Sequence, residues 1–246
     1  CFVMRFDPWA TLTDTEGYIE SAFVIKKLTR GLNMNPHFLQ DLFSLSETLY
    51  KTPRGKKQLH WLTEQPEMNA LIQEQWRPEP IDLDQLSKMP EGSLGKIFAT
   101  NLLEEGFDPK ELTDIDPYPI NSDREYLLHR NWQTHDILHA LTGFNVNTLG
   151  ELGLQAYSFA NCRQPMHLFI MTATLFKAGD SNVEAFDIIL SAIMRGFTLG
   201  VKAPPLMSFK FEEGWDRPIS EWREEVNLPN EPSIKDSAFM RLSDFL

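Results

Sequence analysis

Leu127-Leu128-His129-Arg130-Asn131-Trp132-Gln133-Thr134-His135-Asp136-Ile137-Leu138-His139-Ala140-Leu141-Thr142 is the stretch that decides the fold. At about 100° per residue, Leu127, Leu138 and Leu141 fall on one arc of a helical wheel, with Leu128 closing its other side. His135 and His139 lie at about 60° and 100° from Leu138, inside that apolar arc, and Asp136 lies at its edge near 160°. The run therefore reads as a helix that aims two imidazoles into its buried face. Residues four apart stack one turn above another, a usual way to offer two nitrogen ligands to one ion. Inward histidines are costly unless their nitrogens are satisfied, by a metal or by hydrogen bonds within the core. The residue after His135 is Asp, so the H-E-x-x-H protease pattern does not apply.

Twelve residues after His139 stands Glu151. The run Asn147-Thr148-Leu149-Gly150-Glu151 reads as a capping box with Thr148 as N-cap and Glu151 at the third helical position. It reads equally as a source of one more metal ligand, and spacing leaves both open. Asp136 is open in the same way, as a ligand or as the acceptor that orients an imidazole.

Working outward, nearly every segment reads as helix. Asp14 to Arg30 carries spaced apolar residues and stops at Gly31. Pro36 opens a second helix through Leu49, and Pro53 and Pro66 punctuate two more, ending near Trp61 and Trp76. Arg77-Pro78-Glu79-Pro80 is extended and marks a minor boundary, too short for a domain linker. Leu94 to Glu105 is capped by Ser93 and ended by Gly106. Asp108 to Ser122, with four acids and three prolines, reads as a loop. Helices follow the histidine helix at Leu149 to Ala160, Met166 to Lys177 and Val183 to Leu199, with a last amphipathic one from Trp215 to Val226. No heptads, repeats or paired strands emerge. The expectation is a single all-α, bundle-like domain over residues 1–246, with the motif-bearing half at 90–228.

Charge excludes some functions. The chain has 23 basic and 35 acidic residues, a net −12, which argues against a nucleic-acid partner. Its two cysteines, Cys1 and Cys162, rule out a disulfide framework and a multi-thiolate site. The longest apolar run, Met166 to Phe176, is about half the ~20 residues a membrane span needs. From Leu152 to Phe211 the only acids are Asp180, Glu184 and Asp187. That stretch is cationic and rich in Phe and Met, as befits the buried helices of a bundle or a surface and cavity for lipid. Phe159, Arg163, Phe169, Met194 and Phe197 are its candidate lipid-binding residues.

Taken together, these residues resemble the coenzyme Q (ubiquinone) biosynthesis protein 4 family. The resemblance rests on His135-Asp136-x-x-His139 followed by eleven residues and Glu151. Pro90-Glu91-Gly92-Ser93-Leu94-Gly95, Asn147 to Glu151 and the tail from Lys202 through Trp215 to Trp222 reinforce it. It spans about Asp14 to Leu228. It implies a largely helical fold and a divalent metal, among Zn, Fe, Mn and Mg, held by His135, Asp136, His139 and Glu151. It further implies a polyprenylated ligand or quinone precursor, peripheral membrane association, a homodimer and a place in a quinone-biosynthesis complex. Members are associated both with a scaffolding role and with removal of a ring C1 carboxylate coupled to hydroxylation there. The segment before Asp14 lacks the Arg- and Ser-rich, acid-poor composition of a mitochondrial presequence. The expectation is thus a bacterial-type or processed member, held on the cytoplasmic side of a membrane or, for a processed eukaryotic form, at the mitochondrial inner membrane.

Three functions fit the motif to different degrees. The first is a metal-dependent enzyme of prenylquinone synthesis, with His135, His139 and Glu151 holding the ion and Asp136 as ligand or base. The second is a lipid-binding scaffold whose metal fixes fold or headgroup. The third, a metal-dependent phosphohydrolase, needs further ligands, and His129 and His167 are the only spare histidines nearby.

Overall fold

Proline and its neighbours set the first elements of the computed structural model, which describes residues 49–104, 106, 120–181 and 186–230. The helices read over Asp14 to Arg30 and from Pro36, and most of the acidic loop after Asp108, lie outside those residues. Pro53 opens helix α1 (Pro53–Thr63) behind Thr52, whose hydroxyl accepts from the Gly55 N–H at 3.0 Å. Pro66 opens α2 (Pro66–Glu74), which ends at Gln75 in the left-handed region. The extended Arg77–Pro80 segment leads to a short helix, α3 (Leu83–Leu86), that the sequence pattern does not announce.

Next come α4 (Leu94–Glu104) and the long motif helix α5 (Asp123–Thr142). Then follow α6 (Thr148–Cys162), α7 (Pro165–Ser181) and α8 (Phe186–Lys202). Two 3-10 turns, Leu206–Ser208 and Phe211–Gly214, precede the last helix α9 (Ile219–Glu225). The amphipathic helix expected from Trp215 is shorter at its start because Pro218 occupies the N-cap position. Among the described residues there is no strand, only an isolated bridge between Ser93 and Pro218. The fold is all-α, as the periodicity predicts.

The core continues across the Arg77–Pro80 segment. Leu62, Met68, Leu71 and Ile72 of the first helices pack with Tyr126, Leu127, Cys162 and Met207. The Tyr126 hydroxyl donates to the Trp76 carbonyl at 2.9 Å. A larger cluster joins Phe98, Leu102, Ile137, Leu141, Leu154, Tyr157, Phe211 and Trp222. Burying each such Leu or Phe contributes about 1.5–3 kcal/mol.

Three devices hold the helices that matter for the site. Helices α6 and α8 cross closely because α8 presents Gly196 and Gly200. A Cβ at Gly196 would lie 2.1 Å from the Gly153 carbonyl oxygen, and one at Gly200 2.4 Å from that of Tyr157. The Pro90–Gly95 motif is stitched to the chain's later part by the Leu94 N–H to Arg217 O, Gly95 N–H to Trp215 O and Ile219 N–H to Gly92 O bonds. The side chain of Arg223, buried, donates to the carbonyls of Leu141 and Ala140 at the end of α5 and to that of Asn230. A cation at a helix C-terminus satisfies orphan carbonyls and the helix dipole together.

Arg130 on α5 is also buried, paired with Glu212, bonded to the Met207 and Phe209 carbonyls and stacked on Trp76. No described helix is long and apolar enough to cross a membrane. The outward side of α8 is mixed: Phe186, Leu190, Met194 and Val201 are exposed, the last two by 69% and 74%, among the exposed Asp187, Ser191, Thr198 and Lys202.

Candidate metal centre

Helix α5 positions the two imidazoles and α6 brings Glu151 to them. Ser122 caps α5, its hydroxyl accepting from the Glu125 N–H, and Gly143 ends it at φ 72°. The chain then turns through Phe144 into α6. Here the structure corrects the capping-box reading of Glu151. Asn147, not Thr148, is the N-cap: its side chain accepts from the Gly150 N–H at 2.9 Å, and its carbonyl accepts from the Glu151 N–H at 2.9 Å. Asn caps at least as well as Thr, so the helix starts one residue earlier. Glu151 is then the fourth residue of α6 and its carboxylate is left for the histidines.

That carboxylate spans both rings. Its Oε1 is 2.9 Å from His139 Nε2 and its Oε2 is 3.5 Å from His135 Nε2. Asp136 takes the other side of His135, with Oδ1 3.0 Å from Nδ1. Nδ1–H of His139 donates to the Phe144 carbonyl at 2.9 Å, which fixes the tautomer and leaves Nε2 to face Glu151. The two rings meet edge to face with centroids 5.0 Å apart, and Trp132 stacks beside His135 at 6.4 Å. The ligand atoms of His135, Asp136 and His139 all lie within 4.8 Å of one another.

Electrostatics follow from this packing. Burial alone would lower the pKa of His135, but hydrogen bonds to Asp136 and Glu151 outweigh it and raise it to about 10. Burial alone would raise the Glu151 pKa; the bonds to His135 and His139 instead lower it to about 2. A carboxylate and an imidazole are thus held ready as charged partners. His139 is deeply buried, whereas His135, Asp136 and Glu151 stay partly open, so the cluster sits at the rim of the core. His135, Asp136 and His139 form the group whose ligand atoms converge, with Glu151 against the Nε2 atoms of both rings. Imidazoles and carboxylates without a thiolate are donors a divalent cation takes, with Mg the least suited because it prefers oxygen ligands throughout.

The other residues singled out from sequence are more dispersed. Phe159 on α6 and Phe197 on α8 meet edge to face with centroids 6.1 Å apart. Phe169 is half-buried on α7, and Met194 is on the exposed side of α8. Arg163 ends α6 in the left-handed region and lays its guanidinium over Trp61, 3.8 Å from the ring centroid. His167 is fully buried and bonded to Gln155 and Asn131, which keeps it from serving as an extra ligand of the cluster. Sequence reasoning missed the Phe144 carbonyl and the Asn131–Gln155–His167 group. Asn131 and Gln155 were within reach, since each lies one turn from a cluster residue on the same helical face.

Fold and cluster define a class: an all-α protein with a candidate metal centre at His135, Asp136 and His139, flanked by Glu151. The model of the Coenzyme Q (ubiquinone) biosynthesis protein Coq4 family matches residues 36–232, and the chain belongs to that family. The mitochondrial ubiquinone biosynthesis protein COQ4 of Yarrowia lipolytica is 29% identical over 202 residues, 81% of this chain and 70% of that protein. The corresponding protein of Aspergillus niger is 25% identical over 82% of this chain, which spans 63% of its length. A crystal structure of a ubiquinone biosynthesis protein from Nostoc punctiforme superposes with a TM-score of 0.74 at 27% identity, covering 85% of this chain and 97% of that one.

Proposed function

We propose that this chain is a metal-dependent protein of prenylquinone synthesis that acts on the ring C1 position of a prenylated hydroxybenzoate. The observation that carries the reading is the Glu151 carboxylate standing between the Nε2 atoms of His135 and His139, at the open edge of an apolar helical core. His135, His139 and Glu151 hold the cation, and Asp136 completes the set or serves as the base that takes a phenolic proton. When bound, the cation supplies Lewis-acid stabilisation of negative charge on the aromatic acid. His139, locked by Phe144, keeps the site's geometry fixed. The prenyl tail runs along Phe159, Phe169, Met194 and Phe197, with Arg163 near the polar end. Carbon dioxide leaves C1, water supplies the hydroxyl that takes its place, and dioxygen accepts the two electrons and two protons of that oxidation and leaves as hydrogen peroxide.

The relatives' mitochondrial designations support a place at the mitochondrial membrane, held peripherally by the exposed apolar residues of α8. The test is turnover. Purified protein loaded with Zn, Fe or Mn is incubated in air with a short-chain prenylated hydroxybenzoate, and carbon dioxide and the hydroxylated product are followed by mass spectrometry. Product that disappears in His139→Ala supports the reading. No product with any ion, from protein that binds metal, removes the enzyme.

The exposed apolar residues of α8 favour a second reading, a lipid-binding scaffold of a quinone-biosynthesis complex that works as a homodimer. It predicts that His139→Ala loses lipid or partner binding while no chemistry is detected in any condition.

A further inference from the structure

One turn beneath the cluster lies a second polar layer. Asn131 precedes His135 by one turn on α5, and Gln155 follows Glu151 by one turn on α6, so each continues the ligand-bearing face of its helix. His167, the third residue of α7, stands between them and is 1% exposed. Its Nδ1 is 2.7 Å from the Gln155 side-chain oxygen and its Nε2 is 3.2 Å from the Asn131 side chain. Asn131 and Gln155 are each 6% exposed. One imidazole from a third helix thus ties together the two helices that carry the cluster.

The chemistry of the layer is that of a strut. Burial pushes the His167 pKa down to about 3, and the charge of His135 acts in the same direction, so the ring is neutral. A neutral imidazole donates from one nitrogen and accepts at the other. Nδ1–H donates to the Gln155 oxygen; Asn131 stands with Oδ1 toward Nε2, and a half-turn of its amide presents NH2 there instead. Satisfied on both sides, a buried network of this kind rigidifies what it joins. An apolar side chain at the same place would leave the buried amide atoms that face His167 without that partner.

We infer that His167 is a positioning residue for the metal centre: through Asn131 and Gln155 it fixes the separation of α5 and α6. That separation sets how His135 and His139 stand against Glu151. The inference rests on the metal-centre reading above. A ligand set drawn from two helices is only as exact as their spacing, and groups behind the ligands commonly carry about 10–100-fold in metal affinity.

The test measures Zn2+ and Co2+ affinity by competition with a chromophoric chelator, and the visible bands of bound Co2+, which report ligand geometry. His167→Phe keeps a ring and removes both bonds; His167→Gln keeps one donor and one acceptor. Met68→Ala, a core change on α2, controls for general loss of stability. The expected result is about tenfold or more weaker binding in His167→Phe with shifted Co2+ bands. His167→Gln should recover most of both, and Met68→Ala should move neither. If His167→Phe does not fold, Gln155→Met removes only the shorter bond and is expected to act in the same direction. Wild-type affinity and bands in the folded variant, or an equal change in Met68→Ala, overturn the inference and leave the metal centre standing. If the wild-type chain takes up neither ion, the metal-centre reading falls, and the inference with it.

Discussion

His139 and Glu151 are twelve residues apart on two helices, yet the Nε2 of one lies 2.9 Å from the Oε1 of the other. The contact exists because Asn147, not Glu151, caps α6 and Phe144 pins the far nitrogen of His139, which leaves Nε2 to face the carboxylate. Elemental analysis of Glu151→Ala is expected to show the bound ion of the wild-type protein lost, or its Kd raised at least about tenfold. Glu151→Asp, a shorter carboxylate, should fall between. Wild-type metal content in folded Glu151→Ala would remove Glu151 from the ligand set.

Proton linkage gives a second prediction for the metal-free protein. His135 rises from 6.5 to about 10, so its stabilisation is fully present below pH 6.5 and is lost as pH climbs toward 10. Glu151 falls from 4.5 to about 2, so its stabilisation is fully present above pH 4.5 and is lost as pH drops toward 2. The pair therefore contributes most between those two unfolded values. Urea titrations of chelator-treated protein should show His135→Gln costing more at pH 5.5 than at pH 9.5. Metal must displace the His135 proton, so affinity should rise with pH up to about 10. An affinity flat from pH 6 to 9 would contradict the geometry of the pair.

The α6–α8 crossing predicts a stability effect. A methyl at Gly196 would meet backbone, the Gly153 carbonyl at 2.1 Å, rather than a side chain that swings away. Gly196→Ala should gain about 1 kcal/mol of helix propensity and lose more than that to forced separation of the helices, for a net loss of about 1–3 kcal/mol. Thermal melts decide it, and a Tm at or above wild type would mean the crossing is looser than described.

Arg223 predicts an effect on the motif helix from its far end. Its guanidinium reaches three carbonyls, two of them those of Ala140 and Leu141, the residues that directly follow His139. Arg223→Ala leaves those buried acceptors unpaired and should cost about 2–3 kcal/mol. Arg223→Lys should rescue little, because an ammonium cannot reproduce the planar fork. Denaturant midpoints would check both, and full rescue by Lys would reduce the contact to a charge effect.

The elements were legible where one helix carries its own signal. The histidine helix and the proline starts at Pro53 and Pro66 follow from local pattern. Legibility failed where the outcome depends on a second element. Asn147 outcompeting Thr148 as N-cap decided what Glu151 was free to do, and spacing alone does not rank two good caps. The stacking of Arg163 on Trp61 joins segments about a hundred residues apart, which no periodicity reports. The sequence marks His167 only as a spare histidine near the motif, since its partners come from two other helices.

The outer side of α8 yields the last prediction. Phe186, Leu190, Met194 and Val201 recur at helical spacing and are exposed, with the exposed Lys202 at the helix end. If this face lies on a membrane, Met194 and Val201 enter the lipid boundary, and each removes apolar surface from water. The double substitution Met194→Glu with Val201→Glu should then weaken binding to anionic vesicles about tenfold or more, as judged by co-sedimentation. Both side chains are largely outside the core, so Tm should change little. Unchanged vesicle binding would detach α8 from the membrane. A sedimentation shift to a smaller species, with vesicle binding intact, would instead assign the face to a second copy of the chain.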